Sequence, residues 1–120
     1  MQVRKISEVA KETVDSPLFT EGEVTRQLLA PDSTDYNASV VSFGPGVRNK
    51  FHHHSSDQLL IVTEGNGTVV TEAGEEVTVG AGDVVFAPAG ESHWHGALPG
   101  GSFAHITVTR KGSETTQTEA

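Results

Sequence analysis

Short runs of apolar and β-branched residues, broken by glycine- and proline-rich turns, occupy most of the chain from Val24 onward. Val24 to Leu29, Ala38 to Phe43, Gln58 to Thr63, Thr68 to Glu72, Glu76 to Val79, Val84 to Ala87, His93 to Ala97 and Phe103 to Thr109 read as strands, and Val47 to His54 as a further extended segment. Gly44-Pro45-Gly46, Gly80-Ala81-Gly82-Asp83, Pro88-Ala89-Gly90 and Leu98-Pro99-Gly100-Gly101 punctuate them, and Glu64-Gly65-Asn66-Gly67 reads as a hairpin turn. This inventory predicts an all-β barrel or jelly roll. Residues 1–15 are less defined. Ile6, Val9 and Ala10 have helical spacing, and an added edge strand is equally allowed. The barrel is expected over residues 16–112. Residues 113–120 are Ser-, Thr- and Glu-rich without apolar content before the last alanine, so a disordered tail is expected there.

Composition narrows the function. At 120 residues the chain fits one domain able to bury its own core. It has no cysteine, which excludes a disulfide framework, a zinc ribbon and a thiol nucleophile. Sixteen acidic against 8 basic residues give a net charge of −8, contrary to the basic footprint of a nucleic-acid binder or of adhesion to anionic membranes. The first fifteen residues are polar and charged, unlike a secretory signal, and no apolar stretch approaches a membrane span. A soluble cytoplasmic protein is the expectation.

The chemistry lies in the histidines. Five of the six fall in His52-His53-His54 and His93-Trp94-His95, and the sixth is His105. On a strand, residues i and i+2 share a face. His52 and His54 therefore project together, and a pair of imidazoles on one face can chelate a metal ion, with further ligands supplied from elsewhere in the fold. Imidazole nitrogen suits manganese, iron or zinc, and also nickel or copper. His95 shares a face with His93 but lies about 6.6 Å along the strand, better placed to line a pocket than to be assumed a ligand. His105 alternates with Phe103, Thr107 and Thr109 on its strand. Trp94 points the other way and reads as packing.

Gly46, His52, His54, Gln58 and Gly65, spaced by five, one, three and six residues, resemble the first cupin motif; Gly82, Pro88, Gly90 and His93, spaced by five, one and two, resemble the second. The resemblance implies a double-stranded β-helix barrel holding one divalent metal ion on His52, His54, Gln58 and His93, and a homodimer. Two positions depart from the usual cupin pattern: Gln58 stands where Glu is usual, and Ala97 where Asn is usual. A carboxamide in place of a carboxylate leaves the full positive charge on a bound ion and makes it a stronger Lewis acid.

The segments QLLIVTEG, GESHWHGA and FAHITVT are similar to a group of small bacterial cupins with a His, His, Gln, His ligand set, some of them manganese-dependent hydroxynitrile lyases. That similarity implies a small-molecule substrate, a metal-dependent lyase reaction, and His95 and His105 as proton-transfer groups. It also places Ser39, Val41 and Phe43 near the metal. Leu60 is expected on the Gln58 face and Thr109 on the His105 face, completing the pocket. Two alternatives stand beside this reading: an iron-dependent dioxygenase, and a non-catalytic metal-bound ligand-binding or structural barrel.

Overall fold

A computed structural model describes residues 1–120. Ten strands follow one another: β1 (Glu12–Thr13), β2 (Val24–Leu28), β3 (Tyr36–Phe43), β4 (His52–His54), β5 (Gln58–Thr71), β6 (Glu76–Gly80), β7 (Val84–Ala87), β8 (His93–Ala97), β9 (Phe103–Arg110) and β10 (Thr115–Gln117). All pairings are antiparallel. One sheet runs β1-β2-β3-β9-β5-β7. The other runs β6-β5-β8-β4-β10. Because β5 belongs to both, the sheet curls on itself into the all-β jelly-roll barrel that the strand pattern predicts. The only helical element is a 3-10 turn at Ile6–Glu8, and no helix is long and apolar enough to cross a membrane.

The length of β5 is a correction to the sequence reading. Glu64 to Gly67 is not a hairpin turn; the strand runs through it. A register shift between Val62 and Glu64 bends β5, so its first half pairs with β9 and β7 and its second half with β8 and β6. Gly65 has φ +70°, and a Cβ there would collide with the Ser102 carbonyl. The glycine lets the strand change sheets, where a sequence reading sees only turn chemistry.

Residues 113–120, expected to be disordered, form β10 and its flanks. Thr115, Thr116 and Gln117 pair with His54, His53 and His52. The Ser55 N–H donates to the Glu114 carbonyl (2.9 Å) and the Thr118 N–H to the Phe51 carbonyl (2.9 Å). Glu119 grips the Arg48 guanidinium through two bonds, of 2.7 and 3.0 Å, and accepts the Phe51 N–H (2.8 Å). The β10 side chains stay exposed. It is the backbone that finds partners, on the otherwise open edge of β4, so a polar composition is no obstacle. At the other terminus both allowed elements occur: β1 adds to β2 as an edge strand, and the Gln27 amide holds the 3-10 turn through the Ile6 (2.8 Å) and Val9 (3.0 Å) carbonyls.

The apolar core closes one end of the barrel. Val24, Phe43, Val47, Val62, Val79, Ala97 and Phe103 are buried together there. Burying each valine or phenylalanine among them stabilises the fold by roughly 1.5–3 kcal/mol. The histidines occupy the other end, where inward-facing positions turn polar. The outer face of the first sheet is also apolar. Phe86, Leu59, Val108 and Ala38 form one row across four strands, and Val84, Ile61, Ile106 and Val40 the next. Phe86 and Val84 are 62% and 61% exposed.

Candidate metal centre

β4 and β8 pair at a single register point, His52 opposite His93. This antiparallel contact brings the two histidine clusters together, as cross-strand neighbours on one face must be. Their ring centroids are 4.7 Å apart, and His54 stands 4.9 Å from His52 on the same face. His53 alternates away, as parity requires. Gln58 opens β5 with its side chain pointing inward, its Oε1 2.9 Å from His93 Nε2.

The hydrogen bonds show what these atoms can accept. His52 Nδ1 lies 2.7 Å from the Lys50 carbonyl and His93 Nδ1 2.9 Å from the Glu91 carbonyl. A carbonyl only accepts, so each Nδ1 carries the proton and each Nε2 presents a lone pair. His93 Nε2 therefore faces a second acceptor, the Gln58 carbonyl oxygen. The other end of the Gln58 amide meets Thr107 Oγ1 (2.9 Å). His54 Nε2 is buried with no partner, while its Nδ1 meets Thr115 Oγ1 (2.9 Å). His52, His54 and His93 thus each keep a lone pair at Nε2. Burial is the largest cause holding His52 and His54 down to about 4, and it also lowers His93, so all three rings are neutral near pH 7 and available as ligands.

His95 sits closer to this group than strand spacing implied. The imidazole nitrogens of His52, His93 and His95 can all lie within 4.8 Å of one another, a three-histidine group able to hold a metal ion. The His93 and His95 rings stack at 5.6 Å, less than the step along an extended strand, because rings can lean together. His95 also touches His105, Nδ1 to Nε2 at 2.9 Å. Asn49 fixes the His95 ring. Its Oδ1 accepts the His95 backbone N–H (2.8 Å), which turns its amide N–H toward His95 Nε2 (3.1 Å). The same amide nitrogen lies 3.4 Å from His95 Nδ1, so Asn49 holds the ring in place while the proton shared with His105 can sit on either ring. Both rings are fully buried, and burial lowers His95 well below the usual imidazole range and His105 to about 4.

A cavity of about 340 Å³ joins these groups to solvent. Of the pocket residues expected from the sequence, Ser39, Val41 and Thr109 line it, with His52, His54, Gln58, His95 and His105. Phe43 and Leu60 do not. Phe43 belongs to the core and packs on His95 (6.0 Å) and His105 (5.5 Å) from behind. Leu60 is 1% exposed. Both face inward as parity demands but lie deeper than the cavity. Trp94 points away and stacks under Arg48 (4.7 Å). The cavity also has Asn49, Thr107, Ser113 and Thr115 in its wall, which sequence reasoning missed.

The cupin domain profile matches residues 39–108, the span that holds every one of the six histidines. The chain belongs to the cupin family. This cupin is 34% identical over 113 residues to an (R)-mandelonitrile lyase from Granulicella tundricola, a match covering 92% of this chain and 86% of that one. A solved cupin-like protein from Thermotoga maritima superposes with a TM-score of 0.86 at 30% identity, over 98% of this cupin and 90% of its own chain. A polyketide cyclase from Streptomyces resistomycificus gives a TM-score of 0.88 at 22% identity, over 100% of this chain and 87% of its own, and shares the fold.

Proposed function

We propose that this cupin is a metal-dependent lyase of hydroxynitrile-lyase type, cleaving or forming small cyanohydrins. The observation that carries the reading is the shared cavity. It is lined by His52, His54 and Gln58 from the lone-pair cluster and by the His95–His105 pair. The similarity to a mandelonitrile lyase supplies the substrate class. His52, His54, Gln58 and His93 would hold one divalent ion, manganese, iron or zinc. When bound, such an ion supplies Lewis-acid polarisation of a substrate oxygen.

The chain's own residues handle the proton and the fit. Cyanohydrin cleavage removes the hydroxyl proton, makes the carbonyl, breaks the carbon–carbon bond and releases cyanide with the bonding electrons. His95 and His105 are neutral and share one hydrogen bond, so the pair can take up the hydroxyl proton and return it to the departing cyanide. Asn49 holds the His95 ring in place beside His105. Val41 provides an apolar wall for the substrate's organic group, and Ser39, Thr107 and Thr109 a polar one. Phe43 backs both rings and keeps water from their far side.

The same reading includes a homodimer. The apolar rows outside the first sheet support it, since an uncharged face lets two chains of net charge −8 approach. The protein acts as a soluble cytoplasmic enzyme.

The test of the reaction is benzaldehyde release from each mandelonitrile enantiomer by manganese-reloaded protein, with and without oxygen. The expected result is release from one enantiomer, independent of oxygen and abolished by chelation. No release from either enantiomer, or turnover that consumes oxygen, overturns the lyase reading.

A further inference from the structure

Three imidazoles at the centre are oriented by a hydrogen bond at Nδ1, but not in the same way. His52 and His93 each use a carbonyl two residues earlier, of Lys50 and Glu91. Those partners come with the local strand and can only accept, so these two rings are set wherever the strand forms. His54 has no such carbonyl. Its Nδ1 partner is Thr115 Oγ1, 61 residues later, on the C-terminal strand. A hydroxyl can donate or accept. Only when it accepts does His54 Nε2 keep a bare lone pair, and that atom is the one buried without a partner.

The strand carrying Thr115 is attached at two further places. Thr115, Thr116 and Gln117 pair with His54, His53 and His52. Beyond them the Glu119 carboxylate binds both the Arg48 guanidinium (2.7 and 3.0 Å) and the Phe51 N–H (2.8 Å). Arg48 is in turn fixed against Trp94 on β8 and donates to the Asn49 carbonyl (2.9 Å). Glu119 thus fastens the C-terminus to the two strands that carry the histidine clusters. The segment closes part of the cavity wall as well. Ser113 lines it beside Thr115, and the Ser113 hydroxyl is buried without a hydrogen-bond partner.

We infer that the C-terminal strand is a working part of the metal centre: Thr115 is the positioning residue for His54, and the Glu119–Arg48 clamp holds Thr115 in place. A metal-bound histidine that donates its other N–H to a fixed acceptor is oriented and made more basic, and loss of such a partner commonly weakens metal affinity about 10- to 100-fold. The Nδ1 partners of His52 and His93 are local carbonyls, whereas that of His54 comes from the C-terminal strand. The centre is therefore assembled from two histidines oriented by local backbone and a third, His54, oriented by Thr115 of the C-terminal strand. This rests on His54 being a ligand and not on any particular reaction.

The experiment is titration of the metal-free full chain with Mn(II) alone, followed by calorimetry and by the paramagnetic signal of the free ion. Thr115→Val keeps the shape of the side chain and removes the acceptor. It is expected to weaken Mn(II) binding about 10-fold or more, with thermal unfolding of the metal-free protein little changed. Thr115→Ser restores the hydroxyl and is expected to restore affinity to within about threefold of the unaltered chain, a rescue that a packing role would not produce. Glu119→Gln is expected to weaken binding in the same direction by loosening the strand. Unchanged affinity in both Thr115→Val and Glu119→Gln overturns the inference while leaving the metal centre standing. Failure of the unaltered chain to bind Mn(II) overturns the metal reading and this inference together.

Discussion

Gln58 Oε1 lies 2.9 Å from His93 Nε2, and a neutral His93 that donates its Nδ1 proton to the Glu91 carbonyl has none left for it. Burial disfavours the imidazolium that would supply a second proton. The arrangement makes chemical sense around a cation. Thr107→Val removes the partner that steadies the other end of the Gln58 amide. The expected result is metal affinity lower by about 10-fold, read by competition against a chromophoric chelator, with little change in folding.

Replacing Gln58 by Glu tests the value of a neutral ligand. A carboxylate offsets part of the ion's charge, which tightens binding and weakens Lewis acidity. Gln58→Glu is expected to hold metal more tightly and to turn over cyanohydrin more slowly. A variant that gains both affinity and rate contradicts the role assigned to Gln58.

His105 is the group most cleanly separable from the metal, because it touches the centre only through His95. His105→Ala is expected to keep its metal content while kcat falls about 10²- to 10⁴-fold, the usual contribution of a proton-transfer residue. Elemental analysis and steady-state kinetics on the same sample separate the two effects.

Burial of His52 and His105 has a consequence for stability. Both rings have pKa values lowered to about 4 in the folded chain. An unfolded histidine titrates near about 6.5. Between these limits the unfolded chain binds more protons, so this contribution is complete above pH 6.5 and is lost as pH falls toward 4. Urea unfolding of metal-free protein is expected to show stability falling by up to about 1.4 kcal/mol per pH unit for each ring within that window. A flat profile between pH 7 and 5 contradicts the buried, neutral state of the pair.

The apolar rows on the outer sheet make the dimer testable. Phe86 and Leu59 are cross-strand partners, both exposed. Phe86→Glu is expected to yield a monomer by sedimentation while leaving metal content intact, since the centre faces the opposite side of the sheet. A monomeric unaltered chain removes the dimer from the account.

How much of this was legible follows from distance along the chain. Alternating β-branched residues and glycine–proline turns are local signals, and they predicted the strand inventory and the barrel. The shared face of His52 and His54 is also local, as is the inward face of Gln58 given the motif. The contacts that orient the site are not. Asn49 reaches His95 across 46 residues, Gln58 reaches Thr107 across 49, and His54 reaches Thr115 across 61. Polar residues of this kind look like turns or tails until the fold supplies their partners. The Glu64–Gly67 stretch misled for a related reason. The glycines that make a hairpin also let a strand bend between sheets, and only the pairing of β5 with four neighbours distinguishes the two.

His52, His54, Gln58 and His93 are proposed to hold one metal ion. Elemental analysis of tag-free protein, unaltered and as the His52→Ala/His54→Ala double variant, tests it most directly. The expected result is about one divalent ion per chain in the unaltered protein and essentially none in the variant. An unaltered protein that stays metal-free after reloading with manganese, iron and zinc, or a double variant that keeps its full metal content, would contradict it.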